Sequence, residues 1–131
     1  MKPNYREPLL LGVSHFNARR FWEAHEAWEE LWLAAESDVV EFLQGLIQLA
    51  AAYHHIQRGT FRGAPRLIDA ALRRLSAFPP VFSGIDRSFA EACAARDRER
   101  AVRAEVLGDD DYPKLHLVDE NESRIPPRDD W

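Results

Sequence analysis

The sequence predicts an all-α fold: a compact helical bundle of about five helices built from two antiparallel helical hairpins, with an extended acidic C-terminal tail. Apolar residues recur at helical spacing through most of the first 107 positions, and no long segment alternates with the period-two pattern of a strand. The chain has 131 residues, 46% of them hydrophobic and 30% charged, enough for one self-supporting core and too balanced for a disordered or membrane-embedded chain. A shift of 40 residues places Phe21, Ala24, Ala27, Trp28, Leu31 and Trp32 on Phe61, Ala64, Leu67, Ile68, Ala71 and Leu72, so two similar hairpins are expected. Residues 1–108 form the bundle in this reading and 109–131 the tail.

The first helix is expected from about Glu7 to Phe16, after Pro3. The second runs from about Arg20 to Ala35, with Phe21, Ala24, Trp28, Leu31, Trp32 and Ala35 on one face at about 100° per residue. Ser37 or Asp38 caps a third helix that Gly59 ends as a C′ glycine. A fourth begins near Pro65, with Leu67, Ile68, Ala71, Leu72 and Leu75 inward and an Arg stripe outward, in which Asp69 is expected to pair with Arg66 and Arg73. Phe78 to Gly84 reads as a loop. Asp86 can cap a fifth helix toward Leu107, whose charged half, Arg96 to Arg103, is expected to be exposed or frayed. In the tail, Pro113, Pro126 and Pro127 exclude helix, and Leu115 and Leu117 are spaced as in a short extended piece.

Charge narrows the function classes. The net charge is −5, and residues 109–131 carry all of it, with eight acids against Lys114, Arg124 and Arg128. A body of zero net charge lacks the basic field of a nucleic-acid binder. The lone Cys93 excludes an internal disulfide and fits a reducing, cytoplasmic setting; on an Ala-rich helix it reads as a small buried filler. The apolar run Leu9–Val13 is too short for a signal peptide, and Gln44, Gln48 and the His54-His55 pair interrupt the greasiest segment, so no membrane span is expected.

The polar residues on the second and third helices are the candidate site. His25 and Glu29 are four apart, hence stacked on one helix face beside Phe21 and Trp32; Glu23, Glu26 and Glu30 point further around. Trp22, on the outer side, reads as an interface anchor or as a ring packed under a neighbour. On the third helix Gln44, Gln48 and His55 share a stripe, and His54 projects from a different side, next to Leu43, Ile47 and Ala50. The small Gly45, Ala50, Ala51 and Ala52 let another helix approach. If that helix is the second, His25, Glu29, Gln44 and His54 converge. A carboxylate and two imidazoles, His25, Glu29 and His54, suit a divalent metal ion that could activate water. Without metal, His25 and Glu29 suit acid–base work, with Glu23, Glu26, Gln44 and Gln48 as ligand-binding groups. The third alternative is a buried hydrogen-bond network that fixes helix register. His25-Glu26-x-x-Glu29 departs from the zincin motif, because Glu29 stands where a second histidine belongs.

Taken together, Phe16-Asn17, Phe21-x-Glu23-Ala24-His25-Glu26-x-x-Glu29-x-x-Trp32, Gln44-Gly45-x-Ile47-Gln48-x-Ala50-Ala51-Ala52-x-His54, Gly63-Ala64 and Gly84-Ile85-Asp86 resemble the domain-of-unknown-function 309 family, small prokaryotic helical proteins, across about Phe16 to Asp86. The resemblance implies a compact helical bundle and singles out Glu23, His25, Glu26, Glu29, Gln44 and His54; it implies no activity. Arg19 departs from it, since the family often has glycine in that turn. The functional expectation is a site between the second and third helices that binds a divalent metal or small ligand, hydrolytic chemistry included. The alternative is a non-enzymatic, tetratricopeptide-like interaction module, suggested by the Gly-x-aromatic-x-x-Ala turn at Gly59 to Ala64, whose polar residues are structural. Expected partners are a small molecule or protein, with a homo-oligomer formed through the tail compatible with either.

Overall fold

A computed structural model describes residues 6–35 and 38–118 of the chain. Five helices follow in order: α1 (Arg6–Asn17), α2 (Phe21–Ala34), α3 (Asp38–Arg58), α4 (Ala64–Leu75) and α5 (Ser88–Val102). A 3₁₀ turn, Phe61–Gly63, leads into α4. Each helix packs chiefly on its sequence neighbour, so α3 lies between α2 and α4. Among the described residues, no helix is long and apolar enough to cross a membrane.

Packing within the first hairpin depends on a missing side chain. A Cβ on Gly12 would stand 2.0 Å from Trp28 Nε1, so only glycine lets α1 settle on the buried indole. The indole N–H donates to the Leu9 carbonyl at 3.1 Å, one turn earlier in α1, which leaves this buried donor satisfied. Gly45 does the same between α3 and α4, where a Cβ would lie 2.7 Å from Leu75 Cγ. An aromatic column ties the hairpins together: Phe16 meets Phe21 edge-on at 5.0 Å, and Phe21 lies 5.5 Å from Tyr53 of α3.

The 40-residue echo is a repeated backbone turn. After α1, Arg19 N–H donates to Phe16 O and Arg20 N–H to His15 O; after α3, Gly59 N–H donates to Ile56 O and Thr60 N–H to His55 O. The side chains repeat the theme, Arg20 Nε meeting His15 Nδ1 at 3.1 Å and Thr60 Oγ1 meeting His55 Nδ1 at 3.0 Å. Both turns need a left-handed residue, Gly59 at φ 77° and Arg19 at φ 64°. A side chain there costs about 1–2 kcal/mol, and Arg19 offsets it with a salt bridge to Asp109 at 3.2 Å, while its carbonyl accepts from Gln57 Nε2.

The last third departs from the expectations in three ways. The segment read as a loop holds a small antiparallel sheet, in which β1 (Val81–Phe82) pairs with β2 (Ile85–Asp86) and β2 with β3 (His116–Leu117). The charged half of α5 is exposed at Arg96, Glu99 and Arg103, as expected, but it is not frayed: Asp97 is fully buried and accepts from Tyr53 Oη at 2.6 Å, and Ala101 is in the core. α5 stops at Val102, short of Leu107, because Ala104 turns left-handed and frees Leu107 and Leu115 to fold back into the core.

Residues 109–118 therefore pack on the body. Asn17, at the end of α1, donates from Nδ2 to Leu115 O at 2.8 Å and accepts from Leu115 N–H at 2.7 Å. One carboxamide thus stands in for a neighbouring strand. The rest of the expected tail, 119–131, lies outside the described residues.

Candidate functional site

The turn at Arg19 and the Gly12 contact set the rotation of α2, and α2 then presents its Trp22–His25–Glu29 edge toward α3. His25, with 16% of its side chain exposed, has Nε2 3.8 Å from a Glu29 carboxylate oxygen one turn on. Trp22 lies flat on the His25 ring, centroids 4.7 Å apart and planes within 10°. Its indole also meets His54 of α3 at 5.2 Å, so it bridges the two imidazoles across the seam.

Electrostatics keep His54 uncharged at neutral pH. Burial pushes its pKa below the ordinary histidine value, helped by the neighbouring Arg58, His55 and His25, with Glu23 opposing.

The seam leaves polar atoms unspent. His25 Nδ1 and Trp32 Nε1, seven residues apart on one stripe of α2, are both buried with no hydrogen-bond partner among the described residues. Buried polar atoms are nearly always paired, and a network that only fixed register would pair its own.

Some expected members sit elsewhere. Gln48 Oε1 accepts from Arg74 Nε at 3.1 Å, and Arg74 Nη1 donates to Glu41 at 2.6 Å, so Gln48 is turned toward α4. Gly45 is the cause, since its bare backbone lets α4 come close enough for Arg74 to reach across. Gln44 is half-buried on α3; Glu23, Glu26 and Glu29 are exposed on α2. The expected three-ligand set His25, Glu29, His54 does not close: among the described residues, no three His, Cys, Asp or Glu side chains are grouped to hold a metal ion. The Trp22 ring packs on both imidazoles instead, its centroid 4.7 Å from that of His25 and 5.2 Å from that of His54.

Two features of this face were open to sequence reasoning and were missed. Trp22 stands three residues before His25, the spacing at which helix side chains touch. Between Phe21 and Gln57 the chain carries seven acids and no Lys or Arg, so the α2–α3 hairpin is strongly anionic within a body of zero net charge. Cys93 is buried and burial pushes its thiol pKa up, as suits a filler. Asp69 accepts from Nε and Nη2 of Arg98 on α5, at 2.6 and 2.9 Å, instead of from the arginines of its own helix.

Comparison with known proteins agrees with this architecture. A family model described as a domain of unknown function, DUF309, matches residues 9–67, which takes in α1, α2, α3 and the start of α4. The crystal structure of a conserved hypothetical protein from Thermus thermophilus is similar, with 33% sequence identity and a TM-score of 0.59 over 76% of this chain and 99% of that one. No curated protein matches the chain.

Proposed function

Because the chain belongs to the DUF309 family, whose description names no activity, we propose a function from its own residues: the α2–α3 seam binds a small organic cation, an amine or guanidine. The observation that carries this reading is the orphaned, buried His25 Nδ1 beside the Trp22 ring, which is 47% exposed and already stacked on that imidazole.

The chemistry of recognition follows atom by atom. His25 Nδ1 is buried without a partner, and an imidazole nitrogen that carries a lone pair accepts an N–H. An ammonium or guanidinium supplies such a donor. The exposed part of the Trp22 indole attracts the same charge through its ring quadrupole, by about 0.5–2 kcal/mol. Glu29 and Glu23 neutralise it at the rim, and an uncharged His54 does not repel it. The acids concentrated on the hairpin raise the local cation concentration and speed encounter.

Thermal-shift and calorimetric titrations with spermidine, agmatine and choline test the reading, with glutarate and glycerol as anionic and neutral controls. A ligand at 100 times its Kd stabilises the fold by about 2.7 kcal/mol, readily seen as a rise in Tm. Trp22→Ala should abolish the rise, and Glu29→Gln should weaken binding about five- to tenfold, more at low salt than at high. Equal response to glutarate, or cation binding unaffected by Trp22→Ala, would remove the assignment.

A further inference from the structure

A second surface lies on the other side of α2. Glu7, Pro8, Leu10 and Leu11 of α1 and Ala27 and Glu30 of α2 line a groove of about 620 Å³. Leu11 is 52% exposed there. We propose that the groove is the docking site for a segment of this same chain, Arg124–Arg128, which folds back onto it.

The position from which the chain departs favours that occupant. Val118 N–H donates to Gly84 O at 2.8 Å, and the adjacent Ser83 carbonyl accepts from Arg6 Nη1 at 3.1 Å. The last described residue therefore stands beside the first turn of α1, where Glu7 and Pro8 open the groove. Five residues, Asp119 to Ser123, separate Val118 from Arg124. The six steps from Val118 to Arg124 reach roughly 20–22 Å at about 3.3–3.6 Å each, whereas Pro8 to Leu11 along α1 spans only about 4.5 Å at 1.5 Å per residue.

Chemistry selects the segment. Arg124-Ile125-Pro126-Pro127-Arg128 is an apolar stretch between two cations, and the groove combines an apolar lining with two carboxylates. The two prolines have no N–H to strip of water and hold their φ near −65°, so an extended conformation loses little entropy on docking. The preceding Asp119, Glu120 and Glu122 are repelled by Glu7 and Glu30 and act only as the connecting arm. Once docked, the segment braces α2 from behind the edge that carries Trp22 and His25.

The experiment is paramagnetic relaxation in the full chain. A nitroxide is attached through Asp129→Cys in a Cys93→Ala background, and leucine methyl signals are followed. Leu10 and Leu11 should lose at least half their intensity while Leu33, exposed on the far side of α2, keeps its own. Arg124→Glu with Arg128→Glu should restore the lost signals, and adding Glu7→Arg with Glu30→Arg should quench them again. All four exchanges are at charged positions, so the fold survives and a thermal melt confirms it. Quenching spread evenly over the protein, or loss at Leu33 first, overturns the proposal. So does quenching that appears when spin-labelled chains are mixed with isotope-labelled ones, which would make the occupant a second copy.

Discussion

Replacing Gly12 with alanine sets helix propensity against packing, and the numbers say packing wins. Alanine is worth up to about 1 kcal/mol more than glycine inside a helix. The added methyl would stand 2.0 Å from Trp28 Nε1 and 2.4 Å from Cδ1 and Cε2, so the indole or α1 must retreat by well over an ångström. Overpacking of that kind costs about 1–3 kcal/mol. The retreat also strips the buried indole N–H of its Leu9 carbonyl, a further 1–3 kcal/mol or so. The net loss expected is about 2–4 kcal/mol, or roughly 8–15 °C in Tm for a chain of this length. Gly63→Ala is the control. A Cβ there meets nothing within 4 Å and its φ of −90° suits any residue, so the gain of about 0.4–1 kcal/mol from a stiffer unfolded chain is offset by a similar loss of N-cap quality. Urea melts followed in parallel by circular dichroism and tryptophan fluorescence measure both. A Gly12→Ala protein within 1 kcal/mol of the parent, with an unchanged m-value, would refute the seating of α1 on Trp28.

Three further outcomes are expected. Tyr53→Phe removes the phenol that donates to the buried Asp97 at 2.6 Å, a buried bond whose loss costs about 1–3 kcal/mol; chemical denaturation should show that loss, and a change under 0.5 kcal/mol would mean that Arg96 and Arg100 satisfy Asp97 without it. Asn17→Ala releases both backbone groups of Leu115, about 2 kcal/mol for the pair, and amide exchange should quicken at Leu115 and in β3 while the α3 interior stays protected. His54 titrates lower when folded than unfolded, so the folded state binds fewer protons and stability falls as pH drops from the ordinary histidine range through the lowered value. His54→Gln should flatten that acid limb of the Tm–pH curve, and an identical slope in the variant would assign the loss to another group.

Local signals explain what could be read in advance. Helical periodicity, Gly59 and the 40-residue echo depend on near neighbours, and the structure realises the echo as the same pair of backbone hydrogen bonds at both turns. His25 and Glu29 met because four residues is one turn. Partners brought from afar were not legible. Asp97 looks like one more charge in Arg96 to Arg103 until Tyr53, 44 residues earlier, is placed against it. Gln48 lies at the same depth on α3 as a site residue would, and only the approach of α4 over Gly45 hands it to Arg74. Alternation at Leu115 and Leu117 announced an extended piece and not its β2 partner.

Asn17 engages both main-chain groups of a single residue, and that makes it a latch with one notch. Sliding the segment by one position would swing the Leu115 side chain from the interior into water, so the alignment has no neighbouring minimum to slip into. Residues gained or lost between Ala104 and Tyr112 must then be absorbed as a bulge upstream, and whatever follows Val118 always emerges at the same spot beside the start of α1. Length variation in that connection can accumulate without ever moving the point of exit.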